Sequence, residues 1–202
     1  MPSVRPRFIL ASASPQRKSL LEGLGMAFEV VPPGCLESDS AETDPAKRCS
    51  ALAKMKAEDV SAKHLDAAVL GCDTLVAAAD GTLLEKPVDA RNARRMLRFL
   101  GGQEATVHSA LHLIVPGRGG GAYFGRNASG VRFRALTDAD VEWWISTGLW
   151  RDRSGAFQID GPGQLLIERL EGDWTGVVGL PVFLLGRLLK EAGTPFGMKL
   201  AS

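Results

Sequence analysis

Cysteine and histidine are scarce in this chain of 202 residues, with three of each. Cys35, Cys49 and Cys72 are odd in number and show no CxxC spacing, which argues against a disulfide framework and against a zinc knuckle. His64, His108 and His112 are too scattered to suggest a histidine-rich metal site. No run approaches the ~18 apolar residues of a membrane span, and the opening Met1-Pro2-Ser3-Val4-Arg5-Pro6 carries no apolar signal region. The expected location is therefore the cytoplasm, with no membrane partner. A formal net charge of +1 provides no overall field to attract nucleic acid, so a nucleic-acid partner is not expected. The densest basic run, residues 91–98, is interleaved with Ala, Met and Leu at helical spacing and reads as a solvated helix face. There is no GxxxxGK[ST] loop, no internal repeat and no linker.

What the chain does have is enough apolar material for one full core and a small lobe, at 45% hydrophobic and 23% charged residues. A single domain over residues 1–202 is expected. The stretch Ala11-Ser12-Ala13-Ser14-Pro15-Gln16-Arg17-Lys18-Ser19-Leu20-Leu21 organises it. Phe8-Ile9-Leu10-Ala11 is a short apolar run fit for a buried strand, and Ser12, Ala13 and Ser14 let another molecule approach the backbone closely. Ser14 is a good N-cap with Pro15 at the first helical position, while Leu20, Leu21 and Leu24 recur on one face before Gly25. Amide donors and the positive end of the helix dipole then lie beside Arg17 and Lys18, which makes an anion site.

Further along, Phe28-Glu29-Val30-Val31 reads as a strand, followed by an acidic surface loop over residues 37–44. Asp44-Pro45 opens a long helix to about His64, on which Lys54 and Lys56 face different ways, so that at most one reaches a common site. Ala67-Ala68-Val69-Leu70-Gly71 is a buried strand leading to Cys72-Asp73-Thr74. A carboxylate there is costly to bury unpaired, which makes Asp73 a candidate metal ligand or general base. A turn at Asp80-Gly81 returns the chain to Lys86, close to Asp73. A helix over residues 90–100 follows, then a strand over 107–115, a glycine-rich turn, and a broken return strand over 122–134. So long a hairpin suggests a second lobe or a homodimer edge. Thr137 with Asp140 forms a capping box opening a helix that stops at Gly148, and Leu165-Leu166-Ile167 reads as a strand. Residues 172–179 read as a loop before a last amphipathic helix from Pro181.

In order and together, these segments resemble the Maf family of nucleoside triphosphate pyrophosphatases over residues 8–193. The resemblance is carried by Leu10-Ala11-Ser12-Ala13-Ser14-Pro15-Gln16-Arg17-Lys18-Ser19-Leu20-Leu21, by Glu37, and by Leu52-Ala53-Lys54-Met55-Lys56-Ala57. Cys72-Asp73-Thr74, Lys86-Pro87, Gly155-Ala156-Phe157 and Val177-Val178-Gly179-Leu180-Pro181 complete it. It implies an α/β fold with an elongated, mixed, twisted sheet flanked by helices and two lobes around a nucleotide cleft, similar to inosine triphosphate pyrophosphatases. It also implies Asp73 as general base, Lys56 as the inward lysine, and Lys86 beside the phosphates. Ser12, Ser14, Arg17 and Lys18 would bind substrate, and Glu37 with Asp73 would share a divalent cation, Mg²⁺ or Mn²⁺, through hard oxygen ligands. The implied reaction is cleavage of a nucleoside triphosphate to a monophosphate and pyrophosphate.

The departures bear on the base. Gln16 replaces one of the usual tandem basic residues, and Asp160 replaces the glutamine of the pyrimidine branch, while Thr74 matches that branch. A carboxylate accepts the paired N1–H and N2–H donors of guanine but faces a carbonyl lone pair of uracil or thymine, so Asp160 points to 7-methyl-GTP or a related modified purine. The alternative nucleotides are dTTP and UTP. The alternative from another class is a nucleotide-binding regulator of cell division without turnover.

Overall fold

The structure is a computed structural model that describes residues 7–35, 40–117 and 120–193. Its frame is one mixed sheet in the order β2-β1-β3-β5-β6-β7, with β4 added to β3 off that path. The strands are β1 (Arg7–Ala11), β2 (Glu29–Val30), β3 (Ala67–Ala78), β4 (Leu83–Leu84), β5 (Glu104–Val115), β6 (Gly121–Phe133) and β7 (Ile167–Glu171). β1 runs parallel to β2 and β3, and the remaining pairings are antiparallel. The helices are α1 (Pro15–Gly23), α2 (Pro45–Ser61), α3 (Ala90–Leu100), α4 (Asp138–Thr147), α5 (Trp174–Val178) and α6 (Val182–Glu191). No helix among the described residues is long and apolar enough to cross a membrane.

Side chains alternate across a strand, so β3 presents two different faces to its surroundings. Val69, Gly71 and Leu75 face α2, where Gly71 allows an approach that no side chain would: a Cβ there would lie 2.2 Å from the Ala53 carbonyl oxygen and 2.7 Å from the Ala57 nitrogen. Leu70 and Cys72 face the opposite way into a core built with Leu21 of α1 and Leu184, Leu185 and Leu188 of α6. Val76 and Ala78 share that second face but belong to another core, with Leu97 of α3, Trp144 of α4, Phe133 and Phe157. Two lobes therefore stand on one side of the sheet, and Thr74 falls between them.

The strand pairing opens the sheet at the same place. β1 leaves β3 at Ala11↔Gly71, and β4 joins the same edge only at Val76↔Leu84. Between those two pairings, residues 72–75 have a partner strand on the β5 side alone. The segments leaving β1 and β4 converge on this gap.

Three readings of the sequence change. β6 is continuous over Gly121–Phe133 where a broken strand is expected, because its glycines serve packing: a Cβ at Gly125 would lie 2.6 Å from Leu184 Cδ1, so the missing side chain seats α6. Residues 161–166 form 3₁₀ turns, and the last strand begins only at Ile167. The expected loop before α6 contains α5, capped by Asp173, whose carboxylate accepts from the Thr175 amide at 2.9 Å.

Candidate active site

The gap in the sheet is the floor of a cavity of about 510 Å³, a size suited to a small-molecule ligand. Residues 12–17 line it from the end of β1, Lys86 from the end of β4, Lys56 from α2, and Asp73 and Thr74 from the open edge of β3. Residues 152–154 with Phe157 and Gln158 close one side, and Val177, Val178 and Gly179 another.

On the α2 face, Lys56 Nζ donates to Asp73 Oδ1 at 2.5 Å. Both are buried, the lysine 8% and the aspartate 3% exposed. Helix periodicity accounts for the choice of lysine, since Lys54, two positions earlier, points to solvent and pairs with Glu58. The other carboxylate oxygen, Asp73 Oδ2, is buried with no hydrogen-bond partner. A buried carboxylate oxygen left unsatisfied in a cavity wall is a place for a ligand, whether a water, a cation or a substrate proton. Lys86 reaches the cavity from the opposite lip and is exposed.

On the other face, the polar groups are tied to one another. Ser14 caps α1 by accepting from the Arg17 amide at 3.4 Å, and Ser12 Oγ accepts from the Ser14 amide at 3.2 Å. Arg17 turns into the fold: Nε donates to the Gly179 carbonyl at 2.9 Å, one Nη to Ser12 Oγ at 3.1 Å and the other to Thr74 Oγ1 at 3.2 Å. Thr74 Oγ1 lies 3.3 Å from Ser109 Oγ, which donates to the Gly176 carbonyl at 2.5 Å. Arg17 thus fastens α1, β3 and the turn before α6 together while presenting its guanidinium at the wall.

Ser12, Ser14, Gln16, Arg17, Lys56, Asp73, Thr74 and Lys86 all line the cavity. Lys18 and Asp160 do not. One residue on from Arg17 is a rotation of about 100°, which carries Lys18 to solvent, where it pairs with Glu22 at 3.5 Å. Asp160, at a bend over residues 159–160, is not among the residues lining the cavity. Glu37 lies outside the described residues. Among those that are described, no three Asp, Glu, His or Cys side chains gather as a metal site. The Asp73 carboxylate, with one oxygen lacking a hydrogen bond among the described residues, is a hard oxygen donor of the kind a divalent cation would take.

Sequence reasoning missed Arg153 and Gln158. Both line the cavity, and Arg153 Nη1 donates to Gln16 Oε1 at 2.6 Å. Their only signal in the sequence is proximity to the Gly155-Ala156-Phe157 motif.

The profile of the Maf-like protein family matches residues 7–192. A protein named dTTP/UTP pyrophosphatase from Deinococcus radiodurans is 44% identical over 194 residues, covering 96% of this chain and 97% of its own. Another of that name from Moorella thermoacetica is 42% identical, covering 93% and 95%. A 7-methyl-GTP pyrophosphatase from Cupriavidus pinatubonensis is 37% identical, covering 95% and 96%.

Proposed function

The chain belongs to the Maf-like protein family, and from that premise we propose that it hydrolyses nucleoside triphosphates between the α and β phosphorus atoms, releasing a nucleoside monophosphate and pyrophosphate. The observation that carries this reading is Asp73, a residue lining the cavity of about 510 Å³: one carboxylate oxygen is held by Lys56, and the other is buried without a hydrogen-bond partner among the described residues.

A triphosphate carries about four negative charges, and catalysis of its cleavage is mostly positioning and electrostatic stabilisation. The start of α1, the Arg17 guanidinium, Lys86 and the Lys56 ammonium supply positive charge around the cavity. Lys56 also fixes the Asp73 carboxylate, so that Oδ2 can orient a water and accept its proton as the oxygen attacks the α phosphorus. The bond to the bridging oxygen then breaks, and the electron pair leaves with pyrophosphate. A Mg²⁺ or Mn²⁺, for which Asp73 and Glu37 would be the carboxylate ligands, would neutralise phosphate charge.

For the base, the relatives' names divide between dTTP/UTP and 7-methyl-GTP. The guanine argument rested on the Asp160 carboxylate, which is off the cavity wall. The favoured nucleotides are therefore dTTP and UTP, with 7-methyl-GTP as the alternative.

The test is Asp73→Asn, assayed separately for pyrophosphate and orthophosphate release. The amide keeps the shape but accepts no proton, and turnover is expected to fall about 10²- to 10⁴-fold. A variant within a few-fold of wild type would remove Asp73 from the role of base, and orthophosphate as the first product would move the cleaved bond.

A further inference from the structure

A nucleobase needs apolar surface for its ring and polar groups for its edge. One apolar stretch of the cavity wall lies on the Thr74 face of β3. Val76 is two residues beyond Thr74, Val107 pairs with Val76 across the strands, and Val177 and Phe157 come from the elements covering that face. Asp73 and Lys56 belong to the other face, so the base and the reacting phosphorus are placed on opposite sides of the open edge.

Two polar side chains with hydrogen-bonding groups left over line the same cavity. Arg153 is half-buried, its Nε is buried with no hydrogen-bond partner, and no described carboxylate lies within ion-pair distance of it. Among the described residues its guanidinium donates only to Gln16, an uncharged side chain. Burial pushes the guanidinium pKa down, with Asp160 and then Asp152 opposing through charge. A guanidinium so placed is short of acceptors. Gln158, which also lines the cavity, donates from Nε2 to the Asp160 carbonyl at 3.1 Å, which leaves Oε1 free of hydrogen bonds among the described residues.

The backbone presenting this pair is held in place before any ligand arrives. The Gly155 amide donates to the Glu85 carbonyl at 3.2 Å, and Trp144 Nε1 donates to the Ala156 carbonyl at 2.8 Å. Asp152 and Ala156 adopt φ of 58° and 60°, a left-handed conformation that a non-glycine residue keeps only where its surroundings enforce it. The segment is stiff enough to set a reading geometry.

We propose that Arg153 and Gln158 are the base-reading pair of this site, selecting an uncharged base with a ring N–H beside a carbonyl, as in uracil and thymine, over the cationic ring of 7-methylguanine. Gln158 Oε1 accepts the ring N–H and Arg153 donates to the neighbouring carbonyl oxygen. Methylation at N7 removes an acceptor and adds positive charge that the guanidinium repels. The inference rests on the triphosphate reading above for what the other end of the cavity holds.

The experiment measures kcat and KM for UTP, dTTP and 7-methyl-GTP on wild type, Arg153→Met, Arg153→Lys and Gln158→Leu, with Tm as a check on folding. Binding of a non-hydrolysable α,β-imido UTP is followed by calorimetry on the same proteins. Loss of one charged hydrogen bond predicts that Arg153→Met raises KM for UTP and dTTP about tenfold to 100-fold, with kcat within a few-fold of wild type. The preference should move towards 7-methyl-GTP, and Arg153→Lys should recover part of the loss. If Arg153→Met does not fold, Gln158→Leu carries the decision. A wild type that prefers 7-methyl-GTP overturns the proposal, as does an unmoved UTP to 7-methyl-GTP ratio in the folded variants. Equal losses for all three nucleotides would assign Arg153 to the phosphates and also overturn it. Wild type that binds the imido nucleotide but releases no pyrophosphate defeats the pyrophosphatase reading alone, because the variants' binding still judges the base pair. Wild type that does neither defeats both.

Discussion

The two faces of β3 handle polar groups in opposite ways. On the α2 face, the buried ion pair of Lys56 with Asp73 lies alongside the apolar cluster of Cys49, Leu52, Ala53 and Leu75, and Asp73 keeps one carboxylate oxygen without a hydrogen bond among the described residues. On the Thr74 face, Arg17, Ser12, Thr74 and Ser109 satisfy one another and two backbone carbonyls. The first arrangement is unstable without its partner and reactive; the second is rigid and positions what stands on it. On the proposed reading, activating water and holding a long ligand fall to opposite faces of a single strand.

That comparison is most easily broken at Lys56. Removing one partner of a buried pair leaves an uncompensated charge and costs about 3–5 kcal/mol. Lys56→Met should therefore lose both turnover and thermal stability, whereas Lys86→Met, at an exposed position, should lose turnover with an unchanged Tm. Adding Asp73→Asn to Lys56→Met should restore much of the stability and none of the activity. Equal Tm for Lys56→Met and wild type would show the pair to be structurally idle.

A second change tests how α2 is held against that face. Gly71→Ala forces a methyl into the Ala53 carbonyl and should destabilise by about 1–3 kcal/mol, read by denaturant unfolding. Activity should fall as well, because Lys56 rides on the displaced helix. Unchanged kcat in a destabilised protein would uncouple the helix seat from the ion pair.

The Thr74 face should answer more mildly. Arg17→Lys keeps the charge but loses the planar fork that reaches Ser12, Thr74 and Gly179 at once. A rise in KM larger than the fall in kcat is expected. The reverse pattern would make Arg17 part of the reacting centre.

Outside both faces, the cap of α4 shows what a polar group does when its role is purely structural. Arg134 first, then Thr137, hold the Asp140 carboxylate well below the usual carboxylate range. Because the folded pKa is depressed, this contribution is full above the ordinary aspartate value and is lost as pH falls below it towards the folded one. Asp140→Asn should lower Tm modestly at neutral pH, with the difference from wild type shrinking in acid and activity unaffected. A Tm difference that does not change between neutral and strongly acid pH would exclude the cap as its source.

Much of this was legible in the sequence because it is local chemistry. Ser14-Pro15 announces a helix start, Thr137 and Asp140 announce a capping box, and an aspartate inside an apolar strand demands a partner. Helical spacing separates Lys54 from Lys56, although motif resemblance was needed to choose between them. What the sequence hides is set by distance in the fold. The gap along residues 72–75 arises because β1 stops and β4 starts at particular pairings with β3. Arg153 and Gln158 reach the cavity only through a loop whose shape is fixed by Trp144 and Glu85. For the same reason Asp160, attractive as a carboxylate two residues beyond Gln158, stands off the wall after a bend that no pattern foretold.

The gap in the sheet carries a hazard as well as a function. A length of strand with one unpaired side invites a foreign strand to add to it, which is how many proteins begin to aggregate. Here the invitation is guarded by what surrounds it: a buried acid and ammonium that a docking backbone would have to bury deeper, and the serine-proline turn after β1 that lines the same cavity. On the proposed reading the same residues would guard the open gap, and a variant that replaces Asp73 with an apolar residue is expected to form intermolecular sheet more readily during refolding.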